Sequence, residues 1–306
     1  MSRLLDFVSG RGVPRDGQSI VSSIRRIVDA PMPVIPQNFL IDILDAMDRA
    51  PEVRRLGTGE GEYGHYTHVS SLIDICARQH ALAAQDDRVI QESVTGGHRV
   101  MWAMGRYVEK HIRSQFLKAG GGRNAFGRWT CLCGNAEHVG HRPHQRLCLQ
   151  CQQGLEQYNE FTLFDHENWI KGNPDLLTVF PGDWFVPIEI KSMNKKDFDA
   201  LTAAKGDHIF QIGHYRRMLE LSGFRTHTHG VIIYCTKDFK YGSPYKEFHV
   251  DLTASSVINI IDQSVAVARQ LRESRENDTL PPRTLCSAHS DARAKQCPFL
   301  VSCFSR

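Results

Sequence analysis

Three polar side chains on two adjacent strand-like segments have the types and spacing for metal chemistry: Asp175, Glu189 and Lys191. Along Phe185–Ser192 the pleat alternates, so Val186, Ile188 and Ile190 face one way and Pro187, Glu189 and Lys191 the other. Glu189 and Lys191 therefore share a face about 7 Å apart. Asp175 follows Gly172-Asn173-Pro174, and a hairpin through Pro181-Gly182-Asp183 brings its carboxylate beside Glu189. Facing carboxylates repel each other and attract a divalent cation, and oxygen ligands with waters suit Mg²⁺ or Mn²⁺. A lysine beside them can hold or deprotonate a water, or stabilise charge on a phosphate. These are the parts of metal-assisted phosphodiester hydrolysis. An isolated Glu-x-Lys is ordinarily a solvated strand face; the Gly-x-Pro-Asp segment at hairpin distance is what singles this one out.

The cysteines form a second constellation. Cys131-x-Cys133 and Cys148-x2-Cys151 are close pairs with fourteen residues between them. Four thiolates on two tight turns match tetrahedral structural zinc and leave it no open position for water. His138, His141 and His144 lie between the pairs and are read as solvated loop residues rather than ligands. With Arg142 and Arg146 they give the loop a basic face. Cys286, Cys297 and Cys303 crowd the end of the sequence, with ten residues between the first two. Cys235, beside Ile232 and Ile233, reads as a small core residue.

The elements that must position these groups follow from periodicity. Pro31–Pro36 is extended, a helix covers 37–49, and 57–62 is a glycine-rich connector. Helices are expected over 70–84 and 98–118, the latter with Met101, Met104, Val108, Ile112 and Phe116 as its buried stripe. Strands follow at 160–166, 175–180 and 184–192, then a helix at 207–222, strands at 230–235 and 246–251, and a helix at 254–276. This is an α/β order, packed most naturally as a mixed central sheet flanked by helices.

The 306 residues suffice for one large domain with insertions or two modest ones. A net charge of +3 is too small to argue nucleic-acid binding by itself. No stretch approaches a membrane span and no secretory signal is evident, so a cytoplasmic setting is expected, bacterial or phage-encoded. In such a reducing compartment nine cysteines point to metals rather than disulfides. There is no Gly-x4-Gly-Lys-Ser/Thr loop, so any helicase or ATPase belongs to another chain.

Over about 70–303 the chain resembles the PD-(D/E)XK nucleases, in particular the RecB-like and iron–sulfur CRISPR-associated members. The resemblance rests on Gly172-Asn173-Pro174-Asp175, Glu189-Ile190-Lys191 and the downstream Gln211-Ile212-Gly213-His214-Tyr215. It implies a restriction-endonuclease-like core over 69–126 and 159–285, with an N-terminal region over 1–68. A zinc-ribbon-like insertion at 127–158 and an iron–sulfur tail at 286–306 complete the expected organisation. It implies that Gln211 and Tyr215, on one helix face, line the DNA groove. The family's upstream helix supplies a further ligand, usually His, four residues after a glycine. Here Gly105 is followed at that distance by Glu109, as in the phage recombination exonucleases, with His111 the alternative. The Ile190 carbonyl completes the implied Mg/Mn ligand set. Cys76, in a Cys-x-Arg context, would join Cys286, Cys297 and Cys303 around a 4Fe–4S cluster, with a second zinc site or free thiols as the alternatives. The implied activity is a DNA exonuclease or end-processing nuclease, with a helicase or recombination protein as possible partner. A non-catalytic DNA-binding module and an endonuclease subunit of a transposition or spacer-acquisition complex are the other readings.

Overall fold

The hairpin around Pro181-Gly182-Asp183 forms as expected, and a seven-stranded mixed sheet extends from it. A computed structural model of the chain describes residues 52–54, 65–73, 76–85, 90–92, 96–119, 124–143, 146–238 and 243–305. The extended segment 31–36, the helix 37–49, the connector 57–62 and His144 lie outside them. The chain divides into two units, 1–50 and 51–306, and everything below belongs to the second.

The first described elements are β1 (Glu52–Arg54), β2 (Thr67–His68), a 3-10 turn (Val69–Ser71), α1 (Ala77–Gln85), β3 (Ile90–Glu92) and α2 (Gly96–Lys118). Next come β4 (Ala125–Thr130), β5 (Glu137–His141), β6 (Gln157–Asn159), β7 (Leu163–Asp165), β8 (Ile170–Gly172), β9 (Leu176–Phe180) and β10 (Trp184–Met193). Then follow α3 (Lys195–Ala200), α4 (Gly206–Leu221), β11 (His229–Thr236), β12 (Tyr245–Asp251), α5 (Ser255–Asn277), α6 (Ala292–Lys295) and α7 (Leu300–Ser305).

The large sheet runs β12-β11-β10-β9-β4-β5, with β6 also on β4. β10 and β11 are parallel, joined by the crossover through α3 and α4, and the other pairs are antiparallel. β2, β8 and β7 make a small sheet, and β1 pairs with β3. β4 spans the boundary expected at 126/127 and pairs with both β9 and β5, so the four-cysteine segment grows out of the central sheet.

Alternation along β10 sorts the two faces. Ile188 and Ile190 pack with Leu176 against Ile112, Phe116 and Leu117 of α2. Phe185 and Met193 belong to the main core, shared with Ile212, Met218 and Leu219 of α4 and Val257, Ile261 and Val265 of α5. The sheet is thus layered between helices. Among the described residues no helix is long and apolar enough to cross a membrane.

Three expectations are corrected. The helix over 70–84 is instead a 3-10 turn and a separate α1. Leu72 packs in the main core, whereas Leu82 and Ala83 pack against Phe299 of the tail, and the two cores are served by separate turns. The strand over 160–166 forms as the shorter β7, Leu163–Asp165, and joins the small sheet rather than the central one, the chain changing sheets across Glu160–Thr162 after β6. The stripe of α2 is partly buried, and only in its second half, since Met101 and Met104 are 51% and 45% exposed. Gly105 meets Ser192 near the end of β10, so the residues before it run past the sheet, where Lys237 Nζ donates to the Met101 carbonyl.

Candidate active site

The register that pairs Ile188 with Leu176 sets Asp175 opposite Glu189, one residue beyond the last β9–β10 pair. With no strand partner there, the Ile190 N–H donates to Asp175 Oδ2 at 2.7 Å. A strand residue presents its N–H and C=O to the same side, so the Ile190 carbonyl also faces Asp175. Across the pleat Lys191 Nζ lies 2.5 Å from Glu189 Oε1. Glu189 is 3% exposed, and its second oxygen, Oε2, is buried and has no hydrogen-bond partner among the described residues.

Glu109 reaches the same place from α2. A Cβ at Gly105 would lie 3.3 Å from Ser192 Oγ, so the helix approaches closest to β10 there. Glu109, one turn on, shares that face. His111 is on the exposed side of α2, its ring stacked on Tyr107 with centroids 6.1 Å apart. The structure therefore groups Glu109, and not His111, with Asp175 and Glu189.

The electrostatics record the crowding. Asp175 is held well above the ordinary carboxylate range, first by burial and then by the charge of Glu189. Burial, opposed by Lys191 and reinforced by Glu109 and Glu160, raises Glu189. Burial also raises Glu109, again against Lys191 and with Glu160. Lys191 loses solvation, but Glu189, Asp175 and Glu109 outweigh that and hold its ammonium above the usual lysine value. Three carboxylates around one lysine, Glu189 buried and Asp175 and Glu109 half-buried, leave an excess of negative charge, which a divalent cation would neutralise.

Gln211 and Tyr215 lie on α4, both buried. The Tyr215 phenol is raised well above its ordinary value by burial and then by the Glu189 and Asp175 charges, which places the ring beside both. Gly172 makes room for it: a Cβ there would come within 2.7 Å of Tyr215 Cε1 and 2.9 Å of Val69 Cγ2. Gln211 Oε1 is buried and has no hydrogen-bond partner among the described residues.

Sequence reasoning missed three neighbours. Arg113, one turn beyond Glu109, donates to Glu160 Oε1 at 2.5 Å and to the Asp175 carbonyl at 3.3 Å. Its i+4 spacing from Glu109 was the available signal. Glu160 sits where the chain changes sheets, which strand periodicity does not reveal. His68, on a two-residue strand, has its Nδ1 2.8 Å from Ser70 Oγ. Burial and then Lys171 lower its pKa, against an Asn173 hydrogen bond and Glu160, so it stays neutral at pH 7.

The four-cysteine segment closes into one cluster. The sulfurs of Cys131, Cys133, Cys148 and Cys151 all lie within 4.8 Å of one another, with Cys131–Cys133 at 3.4 Å and Cys133–Cys148 at 3.7 Å. Thiolates around a single ion at bonds of about 2.3 Å stand about 3.8 Å apart, so this spacing suits one zinc. Hydrogen bonds from Asn135 and a neighbouring thiol lower the exposed Cys133 to about 6. Among the described residues no other group of His, Cys, Asp or Glu draws its ligand atoms this close. His138 is engaged with Arg146 and His141 with Phe126, both apart from the thiols.

Cys76, Cys286, Cys297 and Cys303 line one cavity between α1 and the tail. Burial and then Cys76 push the Cys286 and Cys297 thiols up. Arg78 ties the same elements together, donating to the carbonyls of Pro281 at 2.8 Å and Cys303 at 3.1 Å. Cys235 is buried, and its thiol donates to the Thr236 carbonyl.

No family model matches the chain and no curated protein is recognisably related. Among solved structures, SSO0001 matches with a TM-score of 0.34 and 13% identity over 85% of this chain and 91% of its own. The alkaline exonuclease LHK-Exo from Laribacter hongkongensis matches at 0.40 and 15% identity, over 73% of this chain and 92% of its own. The same exonuclease in complex with dAMP matches at 0.38 and 15%, over 69% and 90%.

Proposed function

We propose that the chain is a Mg²⁺- or Mn²⁺-dependent deoxyribonuclease with a restriction-endonuclease-like core, acting at DNA ends in recombination, repair or phage replication. One observation carries this reading: Glu189, buried and with Oε2 unpartnered among the described residues, stands beside two further carboxylates whose protonation equilibria are displaced the same way. Asp175, Glu189, Glu109 and the Ile190 carbonyl would hold the ion, an all-oxygen set suited to a hard cation. When bound, it supplies Lewis acidity and lowers the pKa of a bound water.

The remaining work falls to the chain. Lys191, kept protonated by its carboxylate neighbours, donates to the oxygen on which charge develops. Tyr215, beside Glu189 and Asp175, and Gln211, on the same helix, position the strand. Arg113 fixes the Asp175 backbone. The four-cysteine cluster is read as structural zinc. The cavity of Cys76, Cys286, Cys297 and Cys303 is read as a 4Fe–4S site, because four thiolates are what such a cluster takes.

The test is cleavage of single- and double-stranded DNA, circular and end-labelled, with Mg²⁺, Mn²⁺ or EDTA. Metal-dependent cleavage that Asp175→Ala and Lys191→Ala abolish is expected. A metal-loaded wild type that cuts no substrate overturns the reading.

A further inference from the structure

A cleft of about 540 Å³ lies between the outer side of α2 and the four-cysteine lobe. Lys110, Ser114 and Lys118 line one wall, successive turns of a single helix face. Arg142, over the Trp129 ring at 5.8 Å, lines the other. Lys110 and Lys118 make no ion pair with any described residue, and their α-carbons are about 12 Å apart along the helix. Among the described residues Arg142 forms its ion pair with Glu156, at 3.6 Å, with the two side chains 37% and 73% exposed. Such a pair is weak and exchanges readily for another anion.

Arg113 links this cleft to the carboxylates. It lines the cleft, lies over Tyr158 at 5.9 Å, and donates to Glu160 and the Asp175 carbonyl. Tyr158 lines the cleft too, and the charges of Arg113, Glu160 and Asp175 all reach its phenol. The cleft and the acidic site therefore share a wall. The acidic site repels a polyanion without its metal; the cleft, with two free ammonium groups, attracts one.

We propose that this cleft is a binding site for a single strand of nucleic acid, holding the backbone phosphates of the segment that continues from the cleavage site. Lys110, Lys118 and Arg142 contact phosphates, and the contact is independent of base sequence. The proposal rests on the nuclease reading for its direction, since the strand enters from the Asp175 side.

The test is fluorescence anisotropy with a labelled oligothymidylate across a salt series, on full-length protein in EDTA, alongside cleavage in Mg²⁺. The proteins are wild type, Lys110→Ala/Lys118→Ala and the charge control Lys295→Ala, each checked for unchanged thermal unfolding. The double variant should weaken binding at least tenfold and flatten the log–log salt slope by about 1.4, two contacts at roughly 0.7 each. Lys295→Ala should keep the wild-type slope. If wild type cuts DNA but the double variant keeps its slope and affinity, the cleft assignment is overturned and the nuclease reading stands. If wild type cuts nothing but binds with a lysine-dependent slope, the nuclease reading falls and the cleft stands as a nucleic-acid site. If no protein binds the oligonucleotide, the cleft assignment is overturned.

Discussion

Tyr215 fills the space that any side chain at Gly172 would need, with Cε1 2.7 Å from the position of a Cβ. The contact joins two sequence signals that are forty-three residues apart: the glycine preceding Asp175 and the tyrosine following Gln211. The glycine's requirement is steric rather than conformational, since the tyrosine can stand beside Glu189 and Asp175 only if residue 172 has no side chain.

Gly172→Ala should therefore damage the site more than the fold. Overpacking of this kind costs about 1–3 kcal/mol, while DNA cleavage should fall by a larger factor as Tyr215 is driven from Glu189. Thermal unfolding and cleavage on the same preparation separate the two effects. Wild-type activity in Gly172→Ala would show that the ring's position does not matter.

Asp175→Asn should stabilise the metal-free protein while abolishing cleavage. A carboxylate whose folded pKa lies above its unfolded value binds more protons when folded. It therefore opposes folding at neutral pH and ceases to do so as pH falls through its folded pKa. The amide should raise the unfolding temperature in EDTA at pH 7 by roughly 2–4 °C, the shift that about 1 kcal/mol gives a domain of this size. Mg²⁺ should stabilise wild type and not the variant. Equal shifts with Mg²⁺ in both proteins would move the metal elsewhere.

His214 predicts acid sensitivity of the opposite sign. Ser264 Oγ donates to the Ile261 carbonyl, so it accepts from His214 Nε2–H at 2.7 Å; this leaves Nδ1 buried and without a hydrogen-bond partner among the described residues. Burial, then Arg217, push its pKa to about 3 against a weaker pull from Asp165. The stabilisation is complete above the unfolded value near 6.5 and is lost as pH falls towards 3. By pH 4 the loss is about 3 kcal/mol. His208, at about 4 for similar reasons, adds in the same direction. Denaturant titrations of wild type and His214→Gln at pH 7 and pH 4 should show the variant losing less. Equal losses would place the acid sensitivity on other groups.

The thiols predict metal content. Anaerobic protein should carry one zinc, plus iron and sulfide with visible absorption. Cys148→Ser should lose the zinc and perturb Trp129, which packs with Cys131 and Cys148. Cys286→Ala should bleach the iron chromophore and expose α1 to protease, leaving the zinc in place. Two zincs and no iron would overturn the tail assignment.

How much was legible depended on which force set each feature. The β9–β10 hairpin and the layering were readable because alternation and turn residues act locally. Met101 and Met104 were misread because an apolar stripe marks one side of a helix and not where the sheet beneath it ends. Glu160 and Arg113 escaped because their pairing depends on a change of sheets. The gathering of Cys76 with the tail cysteines followed from family resemblance, since spacing alone does not foretell a contact across some two hundred residues.

That last contact has a kinetic side. Arg78 is held by carbonyls 203 and 225 residues farther along the chain. During synthesis α1 emerges early, yet its anchoring partners are made only after every strand of the central sheet. Its apolar side, Leu82 and Ala83, must then wait in solution or in the grip of a chaperone until Phe299 arrives. The slowest and most aggregation-exposed step in making this protein should be the closing of that seam rather than the assembly of the sheet.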